Sequence, residues 1–229
     1  MYIKRLILSN FKNIVSADLS FSPGINCICG DNGEGKTNLL DAVHYLSMTK
    51  SFLQSSDRFT YTYGASEATL CGTYDIDGYE EKIALSVKSQ GEKTIKKNDK
   101  AYPRISEHIG HIPVVIISPS DTSLIHDSGE ERRRFMNIVL SQTDSQYLRA
   151  MQSYNRVLQQ RNKLLKSDTP PSEILLEAFS GQLNRDADYI FRKRGELAQE
   201  LNALAAGFYA RLSDGKESIS LEYSSDLNR

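Results

Sequence analysis

Residues Gly30-Asp31-Asn32-Gly33-Glu34-Gly35-Lys36-Thr37 satisfy every fixed position of the template G-x-x-x-x-G-K-[ST]. Such a string works in one setting, between a strand and a helix. There its glycines let main-chain N–H groups close on a polyphosphate without a Cβ in the way. The flanks supply both elements. Before it, Ile25-Asn26-Cys27-Ile28-Cys29 is a short apolar run that predicts a central strand. After it, Leu39, Leu40, Val43 and Leu46 recur at helical spacing. The expectation is an α/β protein that binds a nucleoside triphosphate, with Lys36 on the β- and γ-phosphates, Thr37 on Mg²⁺, and the positive end of the helix dipole beneath them.

The remaining pattern divides in two. Tyr2–Leu8 and Ser16–Phe21 alternate as half-buried strands around a turn at Asn10–Asn13. Ala68–Val87, broken at Asp77-Gly78, reads as a hairpin, and Lys93–Arg104 continues it with a turn near Asn98-Asp99. Ile112–Ile117 is expected to be a second buried strand. After Pro119 the sequence is helical, over Arg132–Leu140, Tyr147–Leu165 and Ile174–Leu212, with Pro170-Pro171 at a reversal and a strand-like run at Ser218–Tyr223. The domain expectation is therefore an amino-terminal lobe over residues 1–120, a coiled-coil-like helical arm over 121–212, and a return segment over 213–229.

Composition narrows the classes. The chain has 229 residues, 39% hydrophobic and 25% charged, enough for a substantial core without staples. No run approaches the roughly 20 apolar residues of a membrane span, and the start lacks a secretion signal, so a cytoplasmic protein without membrane partners is expected. Cys27, Cys29 and Cys71 read as reduced core thiols, since no second Cys or His pair stands at metal-ligand spacing. The net charge of −1 asks for no nucleic acid globally, so such binding must come from local patches. Two patches qualify: Arg132, Arg133 and Arg134, and the helix carrying Arg156, Arg161, Lys163 and Lys166. Read from charge alone they are equally solvated helix faces.

A P-loop by itself does not choose among ATPases, kinases and GTPases. The surroundings are more specific. Ile3-x-x-Leu6-x-Leu8-x-Asn10-Phe11-Lys12-Asn13, then Gly30–Asn38 with Leu40-Asp41-Ala42, then Lys50-Ser51-Phe52 follow in order. Ser118-Pro119-Ser120-Asp121, Arg132-Arg133-Arg134-Phe135 and the run from Tyr154 through Gln159-Gln160-Arg161-Asn162 to Lys166 come after them. Together these blocks resemble the RecF recombination mediators, relatives of the SMC-like ATPases, along roughly the whole chain. One position departs from the family pattern, with Leu53 where arginine is usual. The resemblance implies an ABC-type ATPase head, in part, with an inserted helical arm. It also implies binding of ATP with Mg²⁺, ATP-dependent homodimerisation at full length, and binding of single-stranded, double-stranded and gapped DNA. RecO and RecR are the implied partners, and RecA is loaded through them. The nucleotide site would extend to Asn38, and Lys12 and Asn13 would touch phosphates, unless they simply form a turn capped by Asn13.

An ABC-type site also needs a carboxylate at the end of a second strand and a signature loop from a partner. Neither is legible. Ser180-Gly181-Gln182 is followed by polar helix, and Asp121 reads as an N-cap for the helix containing Leu124. The chain is thus expected to be an amino-terminal portion that binds ATP without turning it over. The rivals are a non-catalytic nucleotide-binding or interaction module and another P-loop NTPase. Against the latter stand the long charged helices and the lack of an Asn-Lys-x-Asp run.

Overall fold

The computed structural model describes residues 1–54, 56–167 and 171–228. It comprises two compact units, Met1–Ser118 and Pro119–Arg229.

In the first unit, β1 (Tyr2–Phe11) and β2 (Ile14–Ser20) form a tight hairpin whose turn places Lys12 at a positive φ of 52°. Then come β3 (Glu67–Ile76), β4 (Tyr79–Lys88), β5 (Lys93–Lys97) and β6 (Lys100–Ala101), with turns at Asp77-Gly78 and Asn98-Asp99 where the sequence places them. The strands make one antiparallel sheet in the order β2-β1-β3-β4-β5-β6. Alternation puts Leu6, Leu8, Leu70, Ile83, Leu85 and Ile95 on one face, where they are buried against α1 (Lys36–Met48) through Leu39, Ala42 and Leu46. Gly72 permits the close approach, for a Cβ there would lie 2.9 Å from Leu46 Cδ1 and 2.7 Å from the Tyr74 ring. Residues 105–112 pack against the last turn of α1, where the Ser47 hydroxyl donates to the Ile112 carbonyl and His108 Nε2 lies 2.7 Å from the Leu46 carbonyl. Burial holds the His108 imidazole below its usual pKa.

Two expected strands are absent. Residues 25–29 and 113–117 belong to no ladder, and Ile25, Val115 and Ile117 are largely exposed. Cys27 and Cys29 are exposed as well, which corrects their assignment to a core, while Cys71 is half-buried. An apolar run becomes a strand only when neighbours satisfy its N–H and C=O groups, and no described strand pairs with these runs.

The second unit is helical: α2 (Ser123–His126), α3 (Gly129–Thr143), α4 (Ser145–Leu165) and α5 (Glu173–Leu212). Leu140, Tyr147, Ala150, Ile190 and Leu197 form its core. Inside it, Tyr147 donates to Asn137 Oδ1 at 2.6 Å, and Arg194 reaches the same oxygen at 2.9 Å. Ser180-Gly181-Gln182 lies within α5, where Gln182 donates to Ser153 Oγ at 3.1 Å. Asp121 is not the cap of α2. It lies in a 3₁₀ turn, Pro119–Thr122, and Thr122 takes the cap position. The run Ser218–Tyr223 forms no strand either. It returns along α5, with the Leu221 N–H on Asn202 Oδ1 at 2.7 Å and Tyr223 5.7 Å from the Phe191 ring. Pro170 of the expected reversal lies outside the described residues. Among the described residues, no helix is long and apolar enough to cross a membrane.

Candidate functional site

The loop Gly30–Gly35 enters α1 through three glycines at positive φ, Gly30 at 152°, Gly33 at 91° and Gly35 at 97°. A side chain at any of them would be strained. Gly35 is the N-cap of α1 in left-handed conformation, and no side chain caps the helix. Its first turn holds no acid. The first amides of α1 thus meet neither a capping oxygen nor a carboxylate, an arrangement suited to an external anion. Lys36 Nζ lies over the loop, 2.7 Å from the Gly30 carbonyl and 2.6 Å from that of Asp31. Those two carbonyls hold the ammonium where it would meet phosphate oxygens. Asp31, Asn32, Gly33 and Glu34 are exposed at the loop tip, and the exposed Thr37 side chain follows in the first helical turn. A triphosphate fits this donor set, and the Thr37 hydroxyl can ligate a metal. Among the described residues, no group of three or more His, Cys, Asp or Glu stands ready to hold one.

The turn between β1 and β2 supports this loop from one side. Asn13 Nδ2 donates to the Gly33 carbonyl at 3.2 Å, and Asn38 Nδ2 donates to Asn13 Oδ1 at 2.7 Å. A Cβ on Gly35 would come within 2.7 Å of Asn13 Oδ1, so Asn13 also fixes why residue 35 is glycine. Lys12 behaves differently. Its ammonium lies 2.5 Å from Asp41 Oδ2, with side chains 6% and 0% exposed, and donates to Ser51 Oγ at 3.2 Å. Ser51 donates to Asp41 Oδ2 at 2.7 Å, and Asp41 Oδ1 accepts the Phe52 N–H at 2.8 Å. Lys12, Asp41 and Ser51 therefore form a closed buried network joining the hairpin turn, α1 and the loop after it. Asn13 thus bonds to the P-loop and Asn38, and Lys12 to Asp41 and Ser51. Sequence periodicity carries no signal for such a network, because its members are separated by 29 and 10 positions.

The segment after α1 is held by a second staple. Asp57 accepts the Tyr45 hydroxyl at 2.6 Å and pairs with Lys93 at 2.6 Å, and Lys93 also donates to the Thr49 carbonyl at the end of α1 at 2.7 Å. Burial, helped by Asp57, pushes the Tyr45 phenol far above its usual pKa. The Lys12 N–H donates to the Thr60 carbonyl, and the Thr62 N–H to that of Asn10, both at 2.8 Å. Beside this segment opens a cleft of about 530 Å³ whose lining includes Lys12, Asn38, Arg58, Phe59, Tyr61 and Tyr63.

The two basic patches are not joined by any hydrogen bond or ion pair among the described residues. Arg132, Arg133 and Arg134 lie at the start of α3, whereas Arg161, Lys163 and Lys166 lie at the end of α4. Arg132 donates to the carbonyls of Leu124 and Asp127 at 3.0 Å each, closing the end of α2. Arg134 faces Glu131 at 3.8 Å on an exposed surface. Arg161 has a buried Nε, while Lys163 and Lys166 are exposed.

Sheet, P-loop and following helix define a P-loop ATPase head, and comparison with known proteins agrees. The sequence profile of the AAA domain family matches residues 5–219. RecF of Bacteroides fragilis is 41% identical over 230 residues, covering 100% of this chain and 62% of its own length. RecF of Porphyromonas gingivalis is 42% identical, covering 99% and 62%. Among solved structures, the recombination mediator protein RecF with ATP superposes with a TM-score of 0.89 at 32% identity, over 93% of this chain and 58% of that one. The head of an SMC ATPase, at 23% identity and TM-score 0.51, covers 61% of this chain and 99% of that one and shares the fold. The chain belongs to the AAA domain family, among its RecF-like members. It spans about 62% of the length of the curated relatives it matches.

Proposed function

We propose that the chain binds ATP with Mg²⁺ at Gly30–Asn38 and, in a RecF-like protein, uses ATP to control binding to DNA in recombinational repair and replication. The observation that carries the reading is the uncapped amino terminus of α1 with Lys36 folded over the loop carbonyls. ATP bound to a solved RecF relative supports it. Main-chain amides of the loop and of Lys36, Thr37 and Asn38 would hold the phosphates, Lys36 would neutralise the β- and γ-phosphates, and Thr37 would ligate Mg²⁺. The metal supplies charge neutralisation and a fixed geometry for the phosphates. Asn13 braces the loop by its bond to the Gly33 carbonyl, and Lys12 lines the cleft alongside. DNA phosphates, in single-stranded, double-stranded or gapped form, would meet the exposed cations of the helical unit, Arg133, Arg134, Lys163 and Lys166, with Arg132 and Arg161 shaping their surroundings. ATP-dependent pairing of two copies and cooperation with RecO and RecR to load RecA complete the proposal, by kinship with the RecFOR-pathway protein.

The test is DNA affinity with and without Mg²⁺-ATP, for the wild type and Lys36→Ala. ATP is expected to change DNA affinity in the wild type and to do nothing in the variant, whose ATP affinity falls at least about tenfold through loss of charge-assisted bonds. DNA binding indifferent to ATP in the wild type refutes the coupling.

A further inference from the structure

The phosphate loop is braced by Asn13, whose own side chain is exposed. Its amide bonds to the Gly33 carbonyl at 3.2 Å and to Asn38 at 2.7 Å, and its Oδ1 lies 2.7 Å from where a Cβ on Gly35 would stand. Bonds at a wet surface compete with water, so they hold a loop only when the backbone beneath them is already in place. That backbone is the tight turn between β1 and β2. The residue before Asn13 in this turn is Lys12, at a positive φ of 52°, and it reaches into the interior.

Asp41 meets it there. The carboxylate is wholly buried, and it bonds to the Lys12 ammonium at 2.5 Å, the Ser51 hydroxyl at 2.7 Å and the Phe52 N–H at 2.8 Å. A buried carboxylate left without a cation is costly, so Asp41 keeps the ammonium, and with it the turn, at one place on α1. Ser51 stiffens the arrangement. Its oxygen accepts the N–H groups of Leu53 and Gln54 at 3.1 Å each, and its proton goes to Asp41. Asn38 and Asp41 stand three residues apart on one face of α1. The turn is therefore clamped to that face at two successive points, Asn13 on Asn38 and Lys12 on Asp41.

We propose that Asp41 is a positioning residue of the nucleotide site. Through Lys12 it seats Asn13 on Gly33 and Asn38, and so sets the shape of the loop that receives the triphosphate. The inference rests on the P-loop reading given above and deepens it by naming the buried group that fixes the loop from outside. It also gives Lys12 its part, as the link between Asp41 and the turn rather than as a phosphate ligand.

The affinity of Mg²⁺-ATP, measured by calorimetry on variants whose folding is checked by circular dichroism, tests this route as a double-mutant cycle. Asn13→Ala and Asp41→Asn should each weaken ATP about 3- to 30-fold. Because Asp41 acts through Asn13, the double variant Asp41→Asn/Asn13→Ala should bind within about twofold of Asn13→Ala alone. A general loosening of the fold by Asp41→Asn would instead lower affinity by the same factor whether or not Asn13 is present. Should Asp41→Asn fail to fold, Ser51→Ala keeps the ion pair and carries the same cycle with a smaller loss. Either variant binding ATP as tightly as the wild type, or losses that multiply in the double variant, overturns the role of Asp41 while the phosphate site stands. Lys36→Ala is the control on the site itself, and if it binds ATP like the wild type the P-loop reading fails.

Discussion

The amino terminus of α1 and those of α3, α4 and α5 in the second unit solve the same electrostatic problem in opposite ways. Each of α3, α4 and α5 closes its first turn with its own side chain. Ser128 accepts from the Glu130 N–H, Asp144 from Gln146 and Tyr147, and Ser172 from Leu175. Glu130, Glu131 and Glu173 add negative charge where the dipole is positive. In α1 that position is a left-handed glycine, with no capping oxygen, no acid and a lysine as the first helical residue. Glycine in place of a capping side chain costs only about 0.3 kcal/mol. A helix end in that condition leaves its first amides open to an external anion, while α1 is held by contacts elsewhere along its length.

That contrast is open to breaking at several points. The largest effect is expected where α1 is anchored. Lys12→Met leaves Asp41 buried and without its cation, and should lower unfolding free energy in urea by about 3–5 kcal/mol. An unchanged midpoint would show that α1 is held by apolar packing alone. Next comes the best of the self-capped ends. Asp144 accepts from the Gln146 and Tyr147 N–H groups and from the Tyr189 hydroxyl. Asp144→Ala should therefore destabilise the helical unit by roughly 2 kcal/mol.

The same residue gives a pH test. Burial pushes the Asp144 carboxyl upward, but the bonds from Tyr147, Tyr189 and Gln146 outweigh it and its pKa is lowered. A lowered folded value means stability that is full above the unfolded pKa, near 4, and is lost as pH falls through the folded one. Acid melting curves of the wild type should show that loss, and those of Asp144→Ala should lack it.

Smaller effects sharpen the distinction. Inorganic phosphate at ten times its dissociation constant should stabilise the unit containing the uncapped helix by about 1.4 kcal/mol. Hydrogen exchange should locate that protection in α1 and leave α3–α5 unaffected. Protection spread equally over both units would mean a general salt effect. Smallest is Ser172→Ala, expected to cost about 1 kcal/mol or less through one long cap bond of 3.4 Å, and readable as faster amide exchange in the first turn of α5.

What the sequence determined by itself is what depends on neighbours a few residues away. Gly30, Gly33 and Gly35 fix the P-loop because their backbone angles are closed to other residues. Asp77-Gly78 and Asn98-Asp99 fix two turns because Asp, Asn and Gly are the residues that most readily take the positive φ found there, and the charged runs of the second unit fix its long helices. Where a partner distant in the chain was required, only the tertiary structure decided. Ile25–Cys29 and 113–117 have the composition of strands yet lie outside the sheet, because a ladder needs a second strand and composition cannot supply one. Ser218–Tyr223 reads like a strand but meets α5, through Asn202 on the Leu221 N–H and Phe191 beside Tyr223. The resemblance offers Lys12 as a phosphate contact or a turn residue, and only the approach of the hairpin turn to α1 shows that its ammonium is paired with the buried Asp41 carboxylate. The aromatic cleft is the clearest case. Arg58, Phe59, Tyr61 and Tyr63 have no motif, and they line one cleft with Lys12 and Asn38 only because bonds to β1 and the Asp57–Lys93 pair fix the segment that carries them.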